Sequence, residues 1–172
     1  IIYKAVEMDV SDLITKFLKE KDIRTIFCVS GGSIHNLLAK IDNAESIELI
    51  PCYNEQGAVY AAEGYAREKN TVGVVIVTSG PGLTNIITGI NSCWVDGVPL
   101  LVIAGQVVDK QRLTLCQPKP RQRGVQESDT GKLTSGICKT VKTLDPRTHI
   151  MSQLEELWNQ AEDDRPGPVV LE

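Results

Sequence analysis

The chain has 172 residues, 42% of them hydrophobic, and a formal net charge of −4. That is enough for one domain with a real core, and its acids and bases are scattered without a basic stripe, which argues against nucleic acid or an anionic membrane as partner. No apolar run approaches the roughly 18 residues a membrane span needs, and no basic flank plus hydrophobic stretch opens the chain.

In chain order, Val10, Leu13, Ile14, Phe17 and Leu18 recur at helical spacing behind a cap at Asp9, and "RTIFCVS" follows as a strand ending in "GGS". The helix "IHNLLAKI" leads to the strand "SIELIPC", after which Glu55 opens an alanine-rich helix. Then come the strand "TVGVVIVT", the break "SGPG", one helix from about Thr84 to Val95, and the strand "PLLVIAG". Gln106 to Gly136 is polar and weakly periodic and reads as a long loop with one short helix. Asp145 is placed as the cap of a last helix with Pro146 in its first turn, and Ile150, Leu154, Leu157 and Ala161 form the buried face before the closing strand "GPVVLE".

Short apolar strands alternating with helices predict an α/β fold, a doubly wound parallel sheet with helices on both faces, over a single domain of residues 1–172. Both ends, Ile1 and "RPGPVVLE", read as cut. In such sheets ligands gather beyond the carboxyl ends of the strands, where "SGGS", "CYNE", "TSGPG" and "AGQ" all fall. Cys28, Cys52, Cys93, Cys116 and Cys138, odd in number and without a CxxC pair, read as reduced thiols of a cytoplasmic protein.

The glycine loops have the strand, turn and helix form of a phosphate cradle, but neither GxGxxG nor GxxxxGK(S/T) occurs, and Pro81 removes an N–H donor. Tight turns that bring backbone close to a neighbour are the better reading. His35 and His149 lie in no cluster of metal-ligand spacing, so no metal site is expected within the chain. Glu55 has two readings. It suits the macrodipole at a helix start; alternatively, Gly57, Ala58, Ala61, Ala62 and Gly64 strip the helix of bulk so that another surface or a flat ligand can approach, and a carboxylate desolvated there can share a proton with a ligand nitrogen.

"NEQGAVYAAEGYAR", then "TSGPGLTNIITGINSCWVDGVPLLVIAGQV" and later "QESD" and "CK", resemble the N-terminal pyrimidine-binding domain of thiamine diphosphate-dependent enzymes, in the acetolactate synthase and pyruvate oxidase group. The likeness runs from "VSDLITKFLKEKDIRTIFCVSGGSI" to "RPGPVVLE" and implies a flavodoxin-like, thiamine diphosphate-binding fold. It implies that Glu55 bonds N1′ of the cofactor's aminopyrimidine and so promotes the C2 ylid that attacks a 2-keto acid. Val29, Ser30, Gly31, Thr78, Pro81 and Asn85 would contact the pyrimidine side, and Gln106 would face the reacting end. Each also has a plain alternative: Gly31 and Pro81 shape turns, Asn85 bonds helix backbone, and Gln106 caps a strand end.

Departures accompany the likeness. "CVSGG" stands where acetolactate synthases commonly read "GYPGG", and "GVQE" where they read "AFQE", so Val125 replaces an aromatic that borders their substrate pocket. The resemblance further implies Mg²⁺ and diphosphate bound by a domain with a GDG motif, and no GDG occurs here. It implies a homodimer or homotetramer in which another subunit's diphosphate-binding domain completes the site, with the small-residue face of the Glu55 helix at the interface and FAD as a further cofactor of some members. The rival expectation is a non-catalytic flavodoxin-like module that binds a partner or senses a ligand, separated from the enzyme by the absence of GDG in the parent reading frame.

Overall fold

The computed structural model describes residues 8–112, 116, 118 and 120–172. Its frame is a six-stranded, all-parallel sheet, β1 Thr25–Cys28, β2 Glu48–Pro51, β3 Gly73–Val77, β4 Leu100–Ala104, β5 Thr140–Lys142 and β6 Pro168–Leu171, in the order β2-β1-β3-β4-β6-β5. Every residue of β3, β4 and β6 is buried, as expected of central parallel strands covered on both faces. Edge strands β2 and β5 contain no buried residue.

Two apolar layers flank the sheet. On one face α1 Val10–Glu20, α2 His35–Asp42 and α7 Ile150–Glu162 pack Phe17, Leu18, Ile41, Leu154 and Leu157 against Ile26, Val74 and Val169. On the other, α3 Glu55–Lys69 and α5 Ile87–Asp96 pack Ala58, Val59, Ala62, Ile90 and Cys93 against Val75, Val77 and Val102. The doubly wound α/β expectation is met. After β1 the chain leaves to the α2 face and after β3 to the α5 face, so a crevice opens between neighbouring strand ends, where doubly wound sheets hold ligands.

Local signals account for most helix starts. Asp9 caps α1 in a reciprocal box with Asp12, and Asn54 caps α3 by accepting from the Gly57 amide at 2.6 Å. Three expectations are corrected. The helix expected from Thr84 to Val95 is two pieces, α4 Pro81–Thr84 and α5, with Asn85 and Ile86 in the break. The last helix starts at Ile150 under a His149 cap, not at Asp145, whose side chain instead accepts from the backbone and guanidinium of Arg147. β5 lies where no strand was expected; the short helix in the loop is α6 Thr130–Thr134.

The small residues of α3 divide between two faces. Ala58 and Ala62 are fully buried in the chain's own core, so they are not free to meet another subunit as expected, whereas Gly57 and Gly64 face outward and Ala61 is half-buried. Their inward role is close packing: a Cβ on Gly73 of β3 would stand 2.3 Å from the Ala62 carbonyl oxygen, and one on Gly89 of α5 would stand 2.2 Å from Val59.

Candidate active site

Three strand-end loops interlock at the crevice. Gly31, after β1, lies so near Thr78, after β3, that a Cβ would come 2.4 Å from the Thr78 Cβ. Ser33 ties the same loops: its hydroxyl pairs with Thr78 Oγ1 at 2.9 Å and accepts from the Ser79 amide at 3.1 Å. A Cβ on Gly105, after β4, would lie 2.0 Å from that Ser33 hydroxyl. The glycines are thus required by close approach, the turn reading given them from sequence. Val29 continues the sheet by donating its amide to the Ile76 carbonyl at 3.3 Å, while Ser30 and Pro81 are exposed at the rim.

Glu55 begins α3 directly beyond β2. Its carboxylate is half-buried, and Oε2 accepts from Asn85 Nδ2 at 2.9 Å. The break between α4 and α5 places Asn85 as the last residue of a short turn, with its side chain free to cross to Glu55. Among the described residues Oε1 accepts no hydrogen bond. A carboxylate with one oxygen fixed and the other open, on the positive end of a 15-residue helix, can hold a ligand proton in a defined direction. Tyr53, two residues before it, is wholly exposed.

Gln106 is also at this end of the sheet, but its amide is committed within the chain. Nε2 donates to Glu172 Oε1 at 2.8 Å and to the Ser128 carbonyl at 3.1 Å, and Oε1 accepts from the Val107 amide at 2.9 Å. Gln106 lines a cleft of about 420 Å³ with Arg112, Ser128, Thr130, Thr143 and Glu172, and Glu55 is not part of that lining. The structure therefore brings Glu55 to Asn85 and Gly31 to Thr78, and joins Gln106 to the end of β6.

The long loop returns to the crevice at Gly124–Glu127. Gly80 has φ +58°, and a Cβ there would lie 2.1 Å from the Gln126 carbonyl oxygen, so this segment sits on the "SGPG" turn. Val125, beside Gln126, is exposed. No helix among the described residues is long and apolar enough to cross a membrane.

Residues 8–133 match the family model described as thiamine pyrophosphate enzyme, N-terminal TPP binding domain, thiamine pyrophosphate being another name for thiamine diphosphate. The chain belongs to this family. It is 39% identical over 165 residues to an acetolactate synthase large subunit of Lactococcus lactis, covering 94% of this chain and 27% of that protein. It is 33% identical over 162 residues to the large subunit from Haemophilus influenzae and 32% identical over 162 residues to the chloroplastic acetolactate synthase of Arabidopsis thaliana, covering 27% and 23% of those proteins and 94% of this chain each time. The chain thus spans about a quarter of the length of the relatives it matches.

Within this thiamine pyrophosphate enzyme N-terminal domain, sequence reasoning missed Ser33, Gln126 and Glu172. Ser33 stood in the quoted "SGGS" but gave no sign that it would bridge two loops. Glu172 had a usable signal: it is an acid directly after an apolar parallel strand, hence at the strand-end edge of the sheet where Glu55 also lies.

Proposed function

We propose that this chain is the pyrimidine-binding part of a thiamine diphosphate-dependent enzyme that decarboxylates a 2-keto acid and transfers the product to an acceptor, as an acetolactate synthase does. The single observation that carries this reading is the Glu55 carboxylate, fixed by Asn85 on one oxygen and open on the other, at the crevice of a family member's fold. Thiamine diphosphate, when bound, supplies a nucleophilic carbon at thiazolium C2 and an electron sink for decarboxylation. Glu55 would hold and return a proton at N1′ of the aminopyrimidine, Asn85 would keep its carboxylate oriented, and Val29, Ser30, Gly31, Thr78 and Pro81 would hold the pyrimidine side.

The remaining parts follow the resemblance alone: Mg²⁺ and the diphosphate would be held by a GDG-bearing domain of another subunit. Assembly is as a homodimer or homotetramer, with the outward Gly57, Tyr60 and Gly64 side of α3 available to that domain. FAD is a further cofactor that the resemblance implies for some members, held there by a middle domain. Five unpaired cysteines support a cytoplasmic setting.

Val125 in place of an aromatic favours an acceptor larger or more polar than pyruvate. The test is carbon dioxide release by the full protein from pyruvate and larger 2-keto acids, with and without thiamine diphosphate. Cofactor-dependent release is expected, with products from bulkier acceptors. No release from any 2-keto acid overturns the enzyme reading in favour of the binding module; efficient condensation of two pyruvates with rejection of larger acceptors removes the meaning given to Val125.

A further inference from the structure

Glu172 gathers the ends of four segments on one buried carboxylate, 5% exposed. Oε1 accepts from Gln106 Nε2 at 2.8 Å and Thr130 Oγ1 at 2.7 Å, while Oε2 accepts from Thr143 Oγ1 at 2.9 Å and from Arg112 Nη2. The main chain is held too: the Glu172 amide donates to the Lys142 carbonyl and its carbonyl accepts from the Leu144 amide, each at 2.8 Å. Two donors on each oxygen, one of them a guanidinium, compensate for desolvation and leave the carboxylate one geometry.

The consequence falls on Gln106. Its amide orientation is set by chemistry, since the Val107 N–H must meet an oxygen while Glu172 and the Ser128 carbonyl must meet N–H groups. Both Nε2 protons are then committed, and a lone pair on Oε1 is what remains for a ligand. We propose that Glu172 is a positioning residue: it locks Gln106 as a hydrogen-bond acceptor at the reacting end and ties Arg112, Thr130 and Thr143 to the same carboxylate. Gln106 accordingly recognises a donor on the reacting species, a hydroxyl or amino group, rather than a carboxylate or carbonyl oxygen. The proposal rests on the reading that Gln106 faces the reacting end.

Glu172→Gln in the full protein is the test, followed by hydrogen–deuterium exchange and by kinetics. Peptides covering 106–112 and 128–131 should lose about tenfold in protection while 55–69 is unchanged. Turnover should fall by about 10- to 100-fold, as when an outer partner of a contact residue is removed, with proton exchange at C2 of bound thiamine diphosphate retained. Thr130→Val, which removes one donor to the oxygen that holds Gln106, should shift both readouts the same way by less and serves if Glu172→Gln fails to fold. Unchanged protection in 106–112 overturns the proposal. Lost protection with full turnover overturns it as well, and Gln106→Ala then shows where the fault lies: full turnover there means Gln106 is not at the reacting end, and lost turnover means only that Glu172 does not position it.

Discussion

Gly80 combines φ +58° with ψ −113°, and a methyl there would strike the Gln126 carbonyl. Gly80→Ala should therefore cost at least about 2 kcal/mol, since it adds backbone strain to a clash with backbone that cannot simply rotate away; a urea melt checks this, and a smaller loss would mean that the 124–127 segment does not rest on the turn. Glu172 makes a different prediction. Burial pushes its carboxyl up, but donation from Thr130, Gln106 and Thr143 and the Arg112 charge outweigh that and hold it below its ordinary value of 4.5. Because the folded value is the lower one, its stabilisation is full above the unfolded value and is lost as pH falls through the folded one. The stability difference between the unmodified chain and Glu172→Gln should then be constant near neutrality and shrink below pH 4.5; a difference that grew on acidification would contradict the assignment. Glu55 was legible in sequence because an acid heading a helix after an apolar strand has one place to be. Its bond to Asn85 was not, because it depends on a helix break at Asn85 and Ile86, where no proline or glycine stands.

α3 is the element on which the site depends, and it is clamped to α5 by more than apolar contact. Buried Glu63 accepts from Arg67 at 2.7 Å and from Ser92 at 3.1 Å, and Arg67 also reaches Asp96 at 2.5 Å. Next to this cluster Cys93 is pushed up to about 12 by burial, with the Glu63 charge adding to it, so its thiol is inert. The small residues were read from sequence as one face for another surface; the structure splits them, because a helix turned through its length cannot put Ala58 and Gly57 on the same side. The outward part has its own test. A Cβ at Gly64 meets nothing within 4 Å, so Gly64→Ala should stabilise the chain by about 0.4 to 1 kcal/mol through the unfolded state and helix propensity. Thermal unfolding of the 172-residue chain measures it; a loss of stability would show that α3 is not free on that side. β5 escaped the sequence reading for an equally local reason: Thr140–Lys142 is three half-buried residues with no apolar run, a strand only because β6 offers an edge.

Taken as one molecule, the sheet order does most of the work. The chain winds to opposite faces after β1 and after β3 and so opens the crevice, the strand-end loops line it, Gln126 rests on the Gly80 turn, and Glu172 pins Gln106, Arg112 and Thr130. Strand and helix alternation made that architecture readable from apolar runs alone, whereas the cross-links between loops are tertiary events that no single run encodes. On the proposal that Glu55 handles the proton of the cofactor's pyrimidine, Glu55→Gln is the isolating change: the amide keeps the volume and can still donate a hydrogen bond to N1′, yet it cannot transfer a proton to that nitrogen. The direct measurement is the rate at which C2 of thiamine diphosphate bound to the full protein exchanges its proton for deuterium, followed by acid quench and NMR. Exchange should fall by about 10² to 10⁴-fold in Glu55→Gln with folding and cofactor binding kept; exchange as fast as in the unmodified protein would contradict the proton role and leave Glu55 as a helix-start acid.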